Sequence, residues 1–291
     1  MKKYLALLLT LAVGMGALAG CGSSSETTTD ETQNTETNTE DTANGADTTE
    51  RTTFTVGFDA EYPPYGYKNE AGEYVGFDLD LAQEVCDRNG WELVKQPIDW
   101  SSKDMELNSG TVDCLWNGFT MTGRESEYTF SEPYVDNSIV FVVRQDSDIQ
   151  TKEDLAGKVV ITQAGSSALT ALTNTENNDE NLALAATFAS LEQTPDYNTA
   201  FMSLETGAVE AVAVDIGVAQ YQLTNHSDKF RQLEEPLSTE QYAIAFKLGN
   251  EALRDQVQAT LDEMVADGTF DAIAANYSDY NLDQMVCLGK A

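Results

Sequence analysis

From Phe54 onward, apolar segments of strand length alternate with segments of helical periodicity, and this alternation limits the fold more than any other feature. Phe54–Phe58 alternates as a strand, and residues 79–86 then carry apolar side chains at helical spacing. The same order returns at strand 158–162 followed by helix 168–172, and at strand 209–214 followed by helix 217–223. Repeated strand–helix units predict an α/β fold with mixed, mostly parallel sheets flanked by helices.

The folded part of the chain runs from about Thr53 to Ala291. Its roughly 240 residues suit either one large domain or two lobes of about 100 to 150 residues each. Glu251–Asp267 has the pattern of a long amphipathic helix that stops at Gly268. Both arrangements provide enough chain for a substantial core.

The N-terminal residues have the pattern of an export signal. Two lysines follow Met1, an apolar stretch runs from Tyr4 to Ala19, and Leu-Ala-Gly precedes Cys21. This pattern resembles the lipobox of bacterial lipoproteins, in which the cysteine is acylated and holds the protein at a membrane surface. We therefore expect residues 1–21 to be a lipoprotein signal peptide ending at the lipidated Cys21. The alternative is an ordinary cleavable signal with an incidental cysteine.

Residues 22–52 contain eight acidic side chains, eleven threonines and one arginine, with hardly an apolar residue. Such a segment buries too little surface to offset its ordering entropy. We expect a disordered tether that reaches on the order of 30 Å as a random coil. A specific interaction tail is the less favoured interpretation.

Charge excludes several partners. The chain has a net charge of −33; the signal contributes two lysines and the tether eight acids with one arginine, which leaves −28 on the remaining residues. This balance argues against nucleic acid and anionic lipid as partners. Cys86, Cys114 and Cys287 have no metal-site spacing, so we expect no metal and no cofactor. A Cys86–Cys114 disulfide and buried free thiols remain equally open.

Arg124 is the candidate anion-binding residue. The chain has only 16 Lys and Arg against 49 Asp and Glu, and this arginine follows Thr120, Thr122 and Gly123. A guanidinium matches a carboxylate with two parallel hydrogen bonds, and hydroxyl and backbone N–H groups complete such a site. The alternative is a surface arginine paired with one of the neighbouring glutamates.

Other polar residues stand where predicted strands end, which is where ligands bind in open α/β sheets. The first strand leads into Asp59 and the loop with Tyr62. The strand 158–162 leads into Gln163–Ser167, where helix-start amides and two hydroxyls are available to an anion. Asp215 ends the strand 209–214 and is either a ligand contact or a helix N-cap.

Seven segments of the body occur together in one order: FDAEYPPYGY, GFDLDLAQEV, DWSSKDMELNSGTVDCLWNGFTMTGR, FSEPY, DLAGKVVITQAGSS, LETGAVEAVAVD and LRDQVQATLDEMVADGTF. With them the body from Phe54 to Tyr280 resembles the family-3 extracellular solute-binding proteins, the polar amino-acid receptors of ABC importers. The resemblance implies a type 2 periplasmic-binding-protein fold with two lobes joined by two crossings. It assigns residues 53–139 and 242–291 to lobe 1 and 140–241 to lobe 2, with hinges near Val140 and Tyr242.

The resemblance also implies roles for individual residues. Arg124 would bind the α-carboxylate of an amino acid with help from Thr120 and from backbone amides near Ser166 and Ser167. Asp215 would bind the α-ammonium with a carbonyl near Gly118. The residues implied to line the side-chain pocket are Asp59, Tyr62, Trp100, Trp116, Asn117 and Gln163. A zwitterion in a closed cleft needs both charges matched, which makes such a pairing physically apt.

Some of these residues have competing interpretations. Trp116 follows an apolar residue and fits the core as well as the pocket, whereas Trp100 lies in a loop and fits an aromatic platform. Relatives place two residues between the second threonine of T-x-T and the arginine, but here only Gly123 separates Thr122 from Arg124. We hypothesise that Gly123 supplies the backbone freedom that still directs Arg124 into the cleft.

The leading functional hypothesis is a monomeric, lipid-anchored, extracytoplasmic receptor that delivers a polar amino acid to an ABC permease, without catalysis. One alternative is a dehydratase of cyclic amino-acid precursors on the same fold, with Glu61 as its acid by position only. Another is a sensory amino-acid-binding module. Acidity favours a cationic ligand, while Gln163 and the aromatic residues suit glutamine or cystine.

Overall fold

The structure is a computed structural model that describes residues 51–174 and 179–290. The predicted signal peptide, Cys21 and the predicted tether up to residue 50 lie outside the described residues. The strands are β1 (Thr53–Phe58), β2 (Glu61–Tyr62), β3 (Gly66–Lys68), β4 (Tyr74–Val75), β5 (Glu92–Pro97), β6 (Cys114–Leu115), β7 (Thr129–Phe130), β8 (Val135–Arg144), β9 (Val159–Gln163), β10 (Ser190–Thr194), β11 (Ala211–Asp215), β12 (Phe230–Gln232), β13 (Ser238–Tyr242) and β14 (Ala245–Phe246).

The helices follow the predicted alternation. They are α1 (Phe77–Asn89), α2 (Lys103–Ser109), α3 (Ser167–Thr173), α4 (Asp179–Ala185), α5 (Tyr197–Thr206), α6 (Ile216–Asn225), α7 (Glu251–Asp267), α8 (Thr269–Ala275) and α9 (Leu282–Met285). Helix α7 has the predicted bounds and ends at Gly268, which adopts the left-handed conformation of a helix C-cap. Short 3₁₀ turns occur at Trp100–Ser102, Lys152–Leu155 and Ser278–Tyr280.

Two sheets form the frames of two lobes. The first has the order β5-β1-β6-β14-β7, in which β1 runs parallel to β5 and β6 while β14 runs antiparallel to β6 and β7. The second has the order β10-β9-β11-β8-β12, with β13 also paired to β8. Strands β9, β10 and β11 are parallel, and β8 is antiparallel to β11, β12 and β13. A small sheet of β2, β3 and β4 follows β1.

The chain changes sheets twice. It leaves the first sheet after Phe130 and enters the second at Val135, and it returns between Tyr242 and Ala245. These are the two crossings of the predicted two-lobed fold class, which is confirmed. All of β8 pairs within the second sheet, so the sheet begins before the predicted hinge at Val140. The division into lobes at residues 139/140 and 241/242 stays a prediction.

The core follows from the apolar periodicity. Helix α7 packs Leu253, Val257, Leu261 and Met264 against the first lobe, and all four are buried. In the second lobe, side chains on one face of β8 pack with Leu155 and Leu172 in a separate cluster. Burial of such side chains contributes roughly 1.5–3 kcal/mol each. The sheets therefore hold their strand ends in fixed positions.

The structure corrects one detail of the sequence interpretation and decides another that was left open. Asp78 directly precedes the apolar positions of α1, which makes it a plausible N-cap by sequence, but Gly76 has that position. The Asp78 carboxylate is instead buried and accepts hydrogen bonds from Gly118 N (2.6 Å) and Tyr134 Oη (2.9 Å). Cys86 and Cys114 are buried free thiols. Across the residues that the structure describes, no helix combines the length and apolar character needed to cross a membrane.

Candidate ligand-binding site

A small void lies where the ends of strands from both lobes meet. Nine of the twelve candidate ligand-binding residues line it: Tyr62, Trp100, Gly118, Thr120, Arg124, Gln163, Ser166, Ser167 and Asp215. The volume of the void is about 10 Å³, which is close to the room that one water molecule needs. The two lobes are therefore closed upon each other, and a larger molecule enters only if they separate.

The second lobe contributes the turn between β9 and α3. Gln163 is the last residue of β9, and Gly165 turns the chain with a φ of +72°, a left-handed conformation that favours glycine. The side chain of Ser166 then caps α3 by accepting a hydrogen bond from Leu169 N at 3.1 Å. As a result, Ser167 begins the helix at the edge of the void.

The first lobe contributes the loop after β6. Gly118 has a φ of +57°, and a Cβ atom added there would lie 2.8 Å from Tyr242 Cε2. Only glycine fits at this position without displacing the tyrosine ring. Thr120 follows and forms an isolated β-bridge with Tyr242, so the loop is held against the second crossing between the lobes.

Arg124 lies in a tight turn at the end of this loop. Its backbone N–H donates to Met121 O at 2.9 Å, and the preceding Gly123 has a φ of +80°. The guanidinium lies 4.9 Å from the centroid of the Phe119 ring, in a cation–π contact. No carboxylate of the described residues lies within 4.0 Å of it. The alternative pairing with the neighbouring glutamates is absent from this structure.

Asp215 ends β11 with its carboxylate beside the void. It has the N-cap position of α6 but makes no side-chain capping hydrogen bond. Oδ1 instead accepts from Tyr242 Oη at 2.5 Å and from Asn137 Nδ2 at 2.8 Å. Burial raises the pKa of this carboxyl, and the hydrogen bonds from Tyr242, Tyr62 and Asn137 oppose the shift.

Glu240, on β13, is a second carboxylate at the site and was not among the sequence candidates. Its Oε1 accepts hydrogen bonds from Thr120 Oγ1 (2.7 Å), Asn137 Nδ2 (2.8 Å) and Ser167 Oγ (3.0 Å). Burial raises its pKa to about 7, and the nearby Asp215 adds to the shift. Strand alternation offers the only sequence signal, since it puts Glu240 on the same face of β13 as the buried Tyr242.

Two aromatic rings of the first lobe, those of Trp100 and Tyr62, line the void. Trp100 is buried and packs edge-on against Phe119, with ring centroids 5.7 Å apart. Tyr62 contacts Tyr65 and Tyr197 at centroid distances of 5.7 and 5.9 Å, and its hydroxyl lies 3.2 Å from that of Tyr242. Sequence reasoning found Tyr62 but missed the other tyrosines, because their positions depend on how the lobes close.

Three candidate residues lie outside the void lining. Trp116 is fully buried in the core of the first lobe, where it packs edge-on against Tyr134. Trp116 belongs to the buried cluster that also contains residues of α1, which agrees with the core interpretation. Asn117 Oδ1 accepts from Asp59 N at 2.9 Å and fixes the loop after β1. Both residues support the site without lining the void.

Asp59 takes part in a contact between the lobes. Its Oδ2 accepts from Gln163 Nε2 at 2.5 Å, and burial raises its pKa to about 6. Lys103 Nζ makes a similar contact by donating to Gly165 O at 3.2 Å. Glu61, the acid that a dehydratase would require, is exposed and accepts a hydrogen bond from Asn198. These contacts hold the cleft closed.

The fold and the void together define a two-lobed binding protein that encloses a small solute. The chain belongs to the bacterial extracellular solute-binding proteins, family 3, whose profile it matches over residues 54–280. Membership in this family places the protein outside the cytoplasm. Because the members are solute-binding proteins, it also favours the receptor hypothesis over the dehydratase hypothesis.

Individual relatives agree with this assignment. The chain is 28% identical over 231 residues to the L-cystine-binding protein TcyJ of Escherichia coli (strain K12), covering 78% of this chain and 83% of the relative. It is 29% identical to the ABC transporter glutamine-binding protein GlnH of Bacillus subtilis (strain 168), covering 94% and 96%. A substrate-binding protein of an ABC uptake transporter from Streptococcus pneumoniae, solved with bound histidine, superposes with a TM-score of 0.73 at 30% identity, covering 77% and 92%.

Proposed function

We propose that this protein is an extracytoplasmic receptor that binds one polar amino acid between its lobes and delivers it to an ABC importer. The observation that carries the proposal is the void, which brings an arginine and an aspartate from separate lobes to one small enclosed space. Neither side chain has an oppositely charged partner within 4.0 Å in the described residues. A ligand that carries one negative and one positive charge would compensate both the arginine and the aspartate.

The two charged groups match an amino-acid zwitterion. Arg124 offers a planar set of donors to the α-carboxylate, and the first backbone N–H groups of α3 have no partner within the helix. Asp215 offers its carboxylate to the α-ammonium. An unpaired charge in such a buried place would cost several kcal/mol, so the site selects ligands that carry both charges. Trp100 and Tyr62 provide apolar faces for the ligand side chain.

Ligand entry requires the lobes to separate. The void has room for about one water molecule, which is far less than any amino acid occupies. The two strand crossings, at residues 130–135 and 242–245, are the places where the chain passes between the sheets. We infer that the lobes open about these crossings and close again on the ligand.

The ligand class follows from the lining and from the relatives. The relatives named above bind cystine and glutamine, and the neighbouring structure contains histidine. The lining of hydroxyls, one amide and two large aromatic rings suits a polar or cationic side chain. We propose a ligand among L-cystine, L-glutamine, L-histidine and L-arginine.

The remaining features of the proposal come from the sequence. Cys21 would carry the lipid that anchors the receptor to the cell membrane, residues 22–52 would form the tether, and the receptor would work as a monomer beside its permease. Metabolic labelling with a tagged fatty acid tests the anchor: the wild type should incorporate the label and Cys21→Ser should not. A wild type that incorporates no fatty acid would contradict the anchor.

The binding function is tested by a thermal-shift screen of all twenty amino acids and L-cystine, followed by calorimetry. A ligand that binds only the native state raises Tm. Arg124→Ala should weaken binding by roughly 2–5 kcal/mol. Arg124→Lys should retain only part of the binding free energy, because lysine keeps the positive charge but lacks the planar set of hydrogen-bond donors of the guanidinium. Arg144→Ala, outside the void, is the control and should bind as the wild type does. Unchanged affinity in Arg124→Ala would refute the assignment.

A further inference from the structure

Glu240 lies behind the void rather than in its lining. Its carboxylate contacts the void only through the hydroxyls of Thr120 and Ser167 and through Asn137, which also holds Asp215. On its other side it borders an open groove together with Asp136 and neighbouring residues of β8 and β13. Protons from solvent can reach this carboxylate through the groove while the lobes are closed.

The hydrogen bonds of Glu240 decide what the void offers to a ligand. Thr120 and Ser167 each have a single hydroxyl proton. Thr120 donates it to Glu240 Oε1 at 2.7 Å, and Ser167 donates to Glu240 Oε1 at 3.0 Å, with Asp215 Oδ1 as a more distant acceptor at 3.5 Å. Only oxygen lone pairs of these hydroxyls are then left to face the void, beside the carboxylate of Asp215. This part of the void accepts hydrogen bonds and repels negative charge, so it is complementary to an ammonium group.

We propose that Glu240 is a positioning residue for the ammonium group of the ligand and that it couples ligand binding to the release of a proton. The inference rests on the proposed amino-acid-binding function and deepens it. An ionised Glu240 keeps the two hydroxyls oriented as acceptors and adds negative potential near the ammonium. A protonated Glu240 removes that potential and lets the hydroxyl protons turn toward the ligand.

The surroundings of Glu240 determine the direction of the effect. The groups that face it are the carboxyl of Asp215, the buried hydroxyls of Tyr65, Tyr197 and Tyr242, the exposed carboxylate of Asp136 and, across the void, the guanidinium of Arg124. Burial and Asp215 raise the pKa of Glu240 to about 7, so near neutral pH a share of the protein holds this proton. The ammonium group of an incoming ligand favours the ionised form of Glu240, so binding releases the proton.

The linkage gives a measurable pH dependence. Affinity is fully developed above the pKa of Glu240 and falls as the pH drops below it, by up to tenfold for each pH unit. Between pH 8 and pH 5.5 the wild-type affinity should therefore fall by roughly 30-fold at most. Glu240→Gln keeps the size and an acceptor oxygen but has no titrating proton, and it removes the negative charge beside Asp215. Its affinity should change by less than about threefold over the same range.

Calorimetry measures the proton directly. The ligand is whichever of L-arginine, L-glutamine, L-histidine and L-cystine binds most tightly at pH 8, titrated at pH 6.5 in phosphate and in imidazole buffers with different ionisation enthalpies. The wild type should release between half a proton and one proton more than Glu240→Gln does with the same ligand. Protons from the ligand itself cancel in this comparison. Glu234→Gln, an exposed acid just before β13, should behave as the wild type.

The outcomes separate this inference from the function beneath it. A wild type that binds the ligand without releasing a proton at pH 6.5 overturns the role of Glu240, whether or not the variant folds. A folded Glu240→Gln protein that releases as many protons as the wild type overturns it too. A wild type that binds no amino acid at pH 8 overturns the proposed function, and the inference fails with it.

Discussion

Asp215→Asn should affect ligand binding and protein stability in opposite directions. The carboxylate is 2% exposed and hydrogen-bonded to Tyr242 and Asn137, and Glu240 accepts from the same Asn137 amide. No cationic side chain of the described residues lies within 4.0 Å of it. In the protein alone, the ionised group is therefore buried without a counter-charge, whereas in the proposed complex it pairs with an ammonium.

The expected magnitudes follow from these surroundings. Removing one partner of a buried, hydrogen-bonded charge pair costs roughly 2–5 kcal/mol of binding free energy, which weakens Kd by about 30- to 5000-fold. Without ligand, the same change removes a desolvated charge and its repulsion with Glu240. The free energy of unfolding at pH 8 should rise by on the order of 1 kcal/mol, or roughly 2–4 °C in Tm for a body of this size.

Calorimetry and thermal unfolding on the same preparations measure the two effects. Asp148→Asn is the matched control, because this aspartate is exposed and lies in the loop after β8 of the second lobe; neither its affinity nor its Tm should change. A lowered Tm in Asp215→Asn together with retained affinity would refute the reasoning, since it would make Asp215 a structural residue.

Two further predictions concern pH and the loop glycines. Burial raises the carboxyl pKa of Asp59 to about 6 and the pKa values of Asp78 and Glu240 to about 7. Because these values exceed the unfolded pKa of about 4, the protonated carboxyls contribute stability that is fully present below pH 4. This contribution is lost as the pH rises through 6 to 7. Without ligand, Tm should be several degrees higher at pH 5.5 than at pH 8, and a higher Tm at pH 8 in melts with constant salt would contradict this. Gly118→Ala should cost roughly 2–3 kcal/mol of stability and most of the binding, because its φ is +57° and a tyrosine ring carbon lies 2.8 Å from the added Cβ. Gly123→Ala, with a φ of +80° but no atom within 4 Å, should cost only about 1 kcal/mol, so equal losses in both variants would argue against the close contact.

The fold was largely predictable from local patterns. The bounds of β1 and α7 follow from apolar alternation and helical spacing, and α7 even ends at the expected glycine. Other segments required long-range information. The apolar stretch near Val112 forms only the two-residue strand β6, and Asp78, a reasonable cap by position, is drawn into the core by Gly118 and Tyr134. The residues next to Asp78 in the sequence give no information about hydrogen-bond partners that are 40 or more positions away.

The site was predictable where its residues follow strands. Gln163 and Asp215 line the void as the strand-end argument implied. Arg124 lines it too, as its threonine and glycine neighbours indicated. Trp116 shows the limit of the approach, because alternation does not decide which face of a short strand points to the core. Glu240 shows another limit. In a chain with 49 acidic residues, only the packing of β13 against β8 distinguishes this half-buried carboxylate from a solvated one.

The closed state contains a guanidinium and two carboxylates that do not compensate one another in pairs. Arg124 lies over an aromatic ring, and Asp215 and Glu240 share the amide of Asn137. Asp215 is buried, and Arg124 and Glu240 are half-buried. Closure without a ligand therefore takes charge out of water at a cost, while contacts such as Gln163 with Asp59 favour it. A bound zwitterion makes the electrostatic contribution to closure favourable, because each of its charges lies beside an unpaired charge of opposite sign on the protein. A ligand that interacts this differently with the open and closed states shifts their populations strongly. The same charges that lower the stability of the ligand-free closed form would thus favour closure around a ligand over closure of the empty protein.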